Sequence, residues 1–289
     1  LTTLVGGITE SHKVSADGKT ITFKIRAGQT FHSGNPVTAE DAEFSLRRVM
    51  YLNKTPAFIL TQFGWSKDNV DAHIMATDSM TLVVKNNSDF SAGLLLNALS
   101  AGVGSVVDKK IVMSHVADGD YGYGWLKNHS AGSGPFSVKT WKANELVSLE
   151  ANAKHRHGAP AMKKVLLRHV PEPAAQRLLV EKGDVDLARN LTPDQIKGLK
   201  GAAGVVIDLN PKAGSVYFAT NNAHPILSNP KVKMALRYAV DYDGMANSFL
   251  AGQFKVHQSF WPSGLWASLE TNPFNYDLEK AKTLLKESG

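Results

Sequence analysis

Residues 165–187 read VLLRHVPEPAAQRLLVEKGDVDL, and this stretch decides the fold class. A short apolar strand leads into a proline-containing turn, and a helix is predicted over about residues 174–182. Pro173 suits a first helical position because it has no N–H to lose there, and Gly183 suits the left-handed residue that follows a helix. A second short strand is predicted at 185–187. A strand, a helix and a strand in such quick succession are typical of a sheet covered by helices, so the stretch predicts an α/β protein.

The sequence on both sides extends this pattern. Residues 20–25 alternate apolar and polar side chains, which predicts a half-buried strand. Thr38 is predicted to cap the helix that follows. Further strands are predicted at 80–84, 136–142, 146–151, 205–209 and 215–220. After residue 220 the pattern changes to consecutive capped helices, which begin after Asn229, at Asp243 and after Asp277.

Composition indicates a folded protein with a substantial core. Hydrophobic residues make up 43% of the 289 positions and charged residues 20%. No apolar run reaches the ~18–20 residues that a membrane span requires, so the chain is not expected to span a membrane. The net charge is +6, but lysine and arginine are scattered, so a nucleic-acid partner is not expected. There are no cysteines, which excludes disulfides and thiol catalysis.

Two small motifs invite a chemical interpretation. His155 and His157 lie two apart and could share a face, but no third metal ligand is indicated, so a surface turn is the preferred interpretation. Gly132-Ser133-Gly134 is neither a nucleophile elbow nor a phosphate-binding P-loop. It is either a tight turn in which backbone approaches backbone or a bare stretch of backbone that lines a ligand cleft.

Two further features stay open or are set aside. Asp184 and Asp186 are interpreted as the end of a helix and the start of a strand, not as catalytic groups. Trp261 and Trp266 flank a loop that contains proline and glycine. These tryptophans either bind a ligand or cover a lobe surface.

Several segments, in order, resemble one protein family. They are TITFKIRAGQTFHSGNPVTAEDAEFSLRRV (20–49), GSGPFSVKTW (132–141), the opening stretch (165–187), YFATNNAHPILSNPKVKMALRYAVDY (217–242) and NYDLEKAKTLLKESG (275–289). Together they resemble the dipeptide, oligopeptide and nickel class of solute-binding proteins of ABC transporters. Ser133 departs from the pattern, since the family more often has threonine there.

The resemblance implies a two-lobed α/β fold of the periplasmic-binding-protein-like type II. Lobe I is predicted over residues 1–220 and includes a small subdomain at about 1–160, and residues 221–289 begin lobe II. Compared with the family, the chain is expected to be incomplete, lacking an N-terminal segment and the C-terminal segments that finish lobe II and return to lobe I. Residue 1 is leucine, which is not a native start.

The function that the resemblance implies is an extracytoplasmic receptor that delivers a small molecule, most often a peptide, to the permease subunits of an ABC importer. Its expected location is the periplasm, or the outer face of the cytoplasmic membrane by a lipid anchor. No enzyme activity, catalytic residue, cofactor or metal is predicted. The predicted ligand-binding residues are His129, Ser133 and Asn222. The alternative is a secreted serine hydrolase that uses Ser133 with His129 or His155 as its base.

Overall fold

The structure is a computed structural model that describes residues 3–210, 212–265 and 267–289. Trp266, one of the two tryptophans that flank the loop with proline and glycine, therefore lies outside the described residues. The chain divides into two compact units, Leu1–His169 (unit 1) and Val170–Gly289 (unit 2). The predicted lobes, 1–220 with a subdomain at about 1–160 and 221–289, are a different division of the chain and stay a prediction.

Unit 1 contains a four-stranded antiparallel sheet with the strand order β1-β2-β4-β3. The predicted alternation of β2 is confirmed, because Ile21, Phe23 and Ile25 are buried while Lys24 is exposed. The strand that was expected at 80–84 occupies 81–85. The bounds are β1 Thr9–Val14, β2 Thr20–Ile25, β3 Ile74–Asp78 and β4 Thr81–Lys85.

Helix α1, Ala39–Leu52, contacts β3 and β4 and buries its apolar face in the same core. Thr38 caps it as predicted: Asp41 N donates to Thr38 Oγ1 over 3.4 Å, and Thr38 N donates to Asp41 Oδ2 over 2.9 Å. This is a capping box with aspartate in the third position. The shorter helices of unit 1 are α2 Phe58–Thr61, α3 Val70–His73, α4 Ala92–Leu99, α5 Lys109–Met113 and α6 Tyr123–Leu126. Helix α6 lies within residues 116–134, for which the sequence predicts one long loop because they are rich in glycine, aspartate, tyrosine and serine.

The second sheet of unit 1 has the antiparallel order β5-β6-β7, with β5 Phe136–Lys142, β6 Leu146–Ala151 and β7 Lys164–Arg168. The strands predicted at 136–142 and 146–151 are confirmed, and they pair as a hairpin that Asn144 turns with a φ of 58°. Strand β7 is the apolar strand that opens the deciding stretch. Its Leu166 and Leu167 are 54% and 53% exposed, so neither face of β7 is fully covered.

Unit 2 consists of helices and irregular segments. Helix α7 begins at Pro173 and ends at Glu181, and Gly183 has a φ of +74°, so both predicted boundary signals are confirmed. Helix α10 contacts α12. The bounds are α7 Pro173–Glu181, α8 Pro193–Leu199, α9 Pro225–Ser228, α10 Pro230–Ala239, α11 Tyr242–Asn247 and α12 Leu278–Lys286.

Three predicted strands of unit 2, at 185–187, 205–209 and 215–220, are wrong for this structure. The described residues of unit 2 contain no strand. A strand exists only where its backbone finds a partner, and these segments find none among the described residues. Val206 and Phe218 are accordingly 89% and 80% exposed. Helix α11, for which the sequence predicts residues 243–251, instead begins at Tyr242 and ends at Asn247.

Candidate ligand-binding site

Residues 129–134, called the glycine loop here, are held in place by hydrogen bonds from backbone N–H groups of neighbouring segments. Ala131 is 5% exposed, and its carbonyl accepts from Asp108 N over 2.8 Å. Ser130 Oγ accepts from Val138 N of β5 over 3.0 Å. The loop therefore has a fixed backbone although it contains two glycines.

His32 holds the two glycines of the loop, Gly132 and Gly134, in place by hydrogen bonds. Its backbone N donates to Gly132 O over 2.9 Å, and its Nε2 lies 2.9 Å from Gly134 O. A carbonyl oxygen only accepts, so Nε2 carries the proton. Asn152 Nδ2 donates to the same Gly134 carbonyl over 3.1 Å. Sequence reasoning missed His32 and Asn152, and no local signal could have found a bond between positions 102 residues apart.

Asp108 fixes the segment that carries His32. Its side chain is 1% exposed and accepts from Ser33 Oγ over 2.5 Å, from Asn35 Nδ2 over 2.8 Å and from Ile111 N over 3.1 Å. The last bond also caps α5. A buried carboxylate with three donors is satisfied, so Asp108 acts as a structural clamp behind the glycine loop.

A side chain would fit at both glycines of the loop. A Cβ placed on Gly132 would meet no heavy atom closer than 4.0 Å, and one on Gly134 none closer than 3.9 Å. Neither residue adopts a left-handed φ. No neighbouring backbone therefore excludes a Cβ at either position, although the backbone of His32 does approach Gly132 closely through the bond from His32 N to Gly132 O. The described chain itself does not require glycine there.

Ser133 lies between these glycines and is half-buried. Its Oγ has no hydrogen-bond partner among the described residues. His129 lies at the start of the same loop, is exposed, and points its Nδ1 at Trp125 O over 2.9 Å. Because the carbonyl accepts this bond, Nδ1 carries the proton and Nε2 of the neutral ring is an acceptor. The loop therefore offers one hydroxyl and one imidazole nitrogen to a ligand.

The His129 ring is held by stacking. It lies 4.7 Å from the Trp125 ring with an interplanar angle of 6°, and His115 stacks on Trp125 at 4.3 Å and 17°. His115 Nδ1 bonds to Ile111 O over 2.9 Å, as His129 Nδ1 does to Trp125 O. Trp125 is thus flanked by two equivalent imidazoles, of which only His129 belongs to the glycine loop.

The geometry does not bring together the catalytic groups that the serine-hydrolase alternative requires. Within the described residues, Ser133 Oγ makes no hydrogen bond to an imidazole. The His155 ring instead faces His157 at 5.6 Å and 63°. A serine nucleophile needs a base within hydrogen-bond reach and a third group that orients the base. Nor do three His, Cys, Asp or Glu side chains of the described ranges come together as a metal site.

Asn222 belongs to unit 2, in an exposed turn just before α9. The strand predicted to lead into it is absent, as described above. Its neighbour Asn221 holds the turn by accepting from Ala223 N over 3.0 Å. Asn222 itself has no hydrogen-bonded role among the described residues, so its predicted contact with a ligand stays a prediction.

The described residues also contain no helix that is long and apolar enough to cross a bilayer.

Near Trp261, His257 Nε2 donates to Trp261 O over 2.6 Å, and Phe260 is 90% exposed. Whether Trp261 meets a ligand or covers a surface stays open.

Comparison with solved structures defines the class of protein. The ABC-transporter-associated periplasmic binding protein DppA from Helicobacter pylori, solved with the peptide STSA, matches all of this chain with a TM-score of 0.85 at 23% identity. The match covers 58% of that protein. At this identity the likeness shows the fold, which is that of the type II periplasmic binding proteins. The predicted mixed α/β class is confirmed.

The family follows from the sequence. The family model described as bacterial extracellular solute-binding proteins, family 5 Middle, matches residues 3–289, and the chain belongs to that family. The probable D,D-dipeptide-binding periplasmic protein DdpA of Escherichia coli K12 is 30% identical over 97% of this chain, and the glutathione-binding protein GsiB of Pectobacterium atrosepticum is 26% identical over 99%. The matches cover 52% and 53% of those proteins, so the chain spans about half the length of these curated relatives.

Proposed function

We propose that the full-length protein is an extracytoplasmic solute-binding receptor of an ABC importer that binds peptides. The observation that carries the proposal is the family match, which runs through residues 3–289 without leaving out either unit. Relatives named for a D,D-dipeptide and for glutathione support peptides as the ligand class. The receptor releases its ligand unchanged to the permease subunits, and it works in the periplasm or at the outer face of the cytoplasmic membrane.

The glycine loop is the proposed ligand-binding surface of unit 1. The absence of a side chain at Gly132 and Gly134 allows a peptide backbone to approach the loop closely. Ser133 Oγ donates or accepts a hydrogen bond, and His129 Nε2 accepts one from a peptide N–H. Because His32 and Asn152 already hold the loop in place, little ordering is needed on binding, which favours affinity.

Asn222, which lies in unit 2, is the third residue proposed to contact a ligand. An amide side chain can both donate to a peptide carbonyl and accept from a peptide N–H. The proposal requires no cofactor, metal or catalytic group, because the ligand's covalent bonds stay intact.

Calorimetry of the full-length protein with a library of di-, tri- and tetrapeptides tests the ligand class. We expect at least one peptide to bind, and mass spectrometry of the recovered ligand should show it uncleaved. Cleavage products that disappear in Ser133→Ala would instead support the hydrolase. Absence of binding across the library would contradict peptides as the ligand.

Variants of the same protein test the residues. We expect His129→Ala, Ser133→Ala and Asn222→Ala each to weaken binding by about fivefold to tenfold, the loss of one hydrogen bond. His115→Ala is the matched control for His129, since it removes the equivalent imidazole from the other face of Trp125. Asn210→Ala, which removes another exposed amide of unit 2, is the control for Asn222. If the controls weaken binding as much as the three variants, the site lies elsewhere.

A further inference from the structure

Unit 1 contains a half-open pocket of about 220 Å³ that shares no lining residue with the glycine loop. One wall is the face of α1 that presents Arg48, Val49 and Leu52, whose spacing puts them side by side on a helix. The other walls come from residues 54–56, from residues 102–107 and from Tyr123. Apolar side chains form most of the surface.

The charges on this pocket are all of one sign. Arg48 and Lys54 line it, and none of its lining residues is acidic. Lys54 Nζ also lies 4.7 Å from the centre of the Tyr123 ring, and Lys127 Nζ lies 5.0 Å from the same ring. Arg48 and Lys54 thus line the pocket, and Lys127 lies on the ring of its Tyr123 wall, which favours an anionic ligand.

Arg48 retains unused hydrogen-bond donors. Its Nε donates to Tyr121 O over 2.7 Å, and its two terminal nitrogens have no partner among the described residues. No carboxylate of those residues lies within 4.0 Å of the guanidinium. Burial lowers the pKa of Arg48 from its ordinary value, while the charge of nearby Asp120 opposes that shift.

Asp120 is the acidic group that influences Arg48, and its oxygens are already engaged. They accept from the backbone N–H groups of Gly124, Gly122 and Ala117 over 2.7, 2.8 and 3.1 Å. A half-buried guanidinium therefore borders an apolar pocket with two nitrogens free to donate. Guanidinium recognises the two oxygens of a carboxylate in a fork geometry.

We propose that this pocket binds a small organic monocarboxylate with an apolar body. The carboxylate lies against Arg48 and Lys54, and the apolar body contacts Val49, Leu52 and Val103. The volume of about 220 Å³ corresponds to about seven water molecules at ~30 Å³ each, and an apolar cavity of ~150 Å³ is known to hold benzene. A ligand the size of benzoate therefore fits. This site is independent of the proposed peptide receptor function.

Titration of the ligand-free full-length protein with benzoate, followed by NMR chemical-shift changes, tests the proposal. Benzamide has the same shape without the charge and is the matched ligand control. We expect benzoate to bind at least about tenfold more tightly than benzamide, and to weaken as salt is added because the charges are partly exposed. Equal affinity for the two ligands, or no shift with benzoate, would overturn the proposal.

Three substitutions locate the binding in this pocket. Ser105 is an exposed lining residue, so Ser105→Phe adds a ring to the pocket wall and leaves both cations in the sequence, and we expect it to abolish binding. Lys54→Met should weaken binding by about twofold to fivefold, the range of an exposed ion pair. Lys67→Met, which removes an exposed cation outside the pocket, is the matched control and should bind like the wild type. Binding unchanged in Ser105→Phe, or equally reduced in both lysine variants, would overturn the assignment.

Arg48 is tested by Arg48→Lys, which keeps the charge and loses the fork. We expect a loss of at least about fivefold in benzoate affinity. Because Arg48 also holds the Tyr121 carbonyl, the melting temperature of this variant is measured alongside. A folded Arg48→Lys protein with wild-type benzoate affinity would show that the guanidinium is not the anion ligand. If it does not fold, the Ser105→Phe and Lys54→Met results decide.

Discussion

Units 1 and 2 differ in how they bury apolar side chains. In unit 1, strands β2 to β4 and helix α1 enclose a continuous core that includes Phe63, Trp65 and Leu60 at 0–2% exposure. Among the described residues of unit 2, only four apolar side chains are buried: Leu199, Val232, Ala235 and Ala281. Its irregular segments expose large apolar side chains such as Val206 and Phe218 instead.

This difference separates local from non-local determinants of structure. The helices of unit 2 are well specified by nearby residues, since side chains of Thr192, Asn229, Asp241 and Asp277 cap α8, α10, α11 and α12. A helix satisfies its backbone within itself, whereas a strand depends on a second strand. Unit 2 therefore forms its helices and leaves its strand-like segments unpaired in this structure.

The largest expected effect compares the same side chain in the two units. In the 289-residue chain, Phe63→Ala should lower the free energy of unfolding by about 3–5 kcal/mol, because it leaves a cavity in the core. Phe218→Ala should change it by less than ~0.5 kcal/mol, since that ring is 80% exposed. Urea denaturation measures both. A comparable loss in the two variants would show that Phe218 is covered in solution.

The second prediction compares two helix caps. Asp108 caps α5 from a buried position and also accepts from Ser33 and Asn35, whereas Asp277 of unit 2 caps α12 by one bond to Lys280 N over 2.9 Å. We expect Asp108→Ala to cost about 2–3 kcal/mol of unfolding free energy, because it leaves several donors unsatisfied. Asp277→Ala should cost about 1 kcal/mol, the usual value for a cap.

Urea midpoints of the two variants, measured at one pH, provide the comparison. If Asp277→Ala lowers the free energy of unfolding more than Asp108→Ala does, then the cap of α12 stabilises the chain more than the hydrogen bonds of Asp108 do.

The distinction between local and non-local determinants also decides how much of this structure the sequence predicts. Thr38, Pro173 and Gly183 act within a few residues of their own position, and their predicted roles are confirmed. The family resemblance is also confirmed. The bond from His32 to Gly134 and the failure of the 205–209 and 215–220 strands depend on distant partners, which no local pattern encodes.

The third prediction concerns acid stability and compares two carboxylates. Hydrogen bonds from the backbone of Gly124 and Ala117 lower the pKa of Asp120, and the hydroxyls of Ser268 and Ser263 lower the pKa of Glu270. A carboxylate with a lowered folded-state pKa stabilises the protein above its unfolded-state pKa, and the benefit is lost as pH falls through the folded-state pKa. Both therefore contribute stability near neutral pH.

Asp120→Asn in unit 1 and Glu270→Gln in unit 2 test this. Each variant should be less stable than the wild type at about pH 7, and the gap should close at about pH 2, below the ordinary carboxyl range. We expect the larger gap for Asp120, because backbone donors are held in place by the chain while serine hydroxyls rotate. A gap that widens on acidification would contradict the assigned direction.

The smallest expected effect is a titration without a large change in stability. Burial, followed by the hydrogen bond that Tyr51 donates to Asp71, raises the pKa of Tyr51 to about 12. Burial also raises the pKa of Tyr242 in unit 2. A tyrosine with a raised folded-state pKa stabilises the protein below its unfolded-state pKa, near 10, and loses that contribution as pH rises through the folded value.

Absorbance of the phenolate, followed as pH rises, should therefore show a late component at high pH that Tyr51→Phe removes. Tyr242→Phe, the matched change in unit 2, should leave the component near pH 12 in place, because the shift of Tyr51 needs both burial and the carboxylate of Asp71. A late component that survives in Tyr51→Phe and disappears in Tyr242→Phe would reverse the comparison and place the more strongly protected phenol in unit 2.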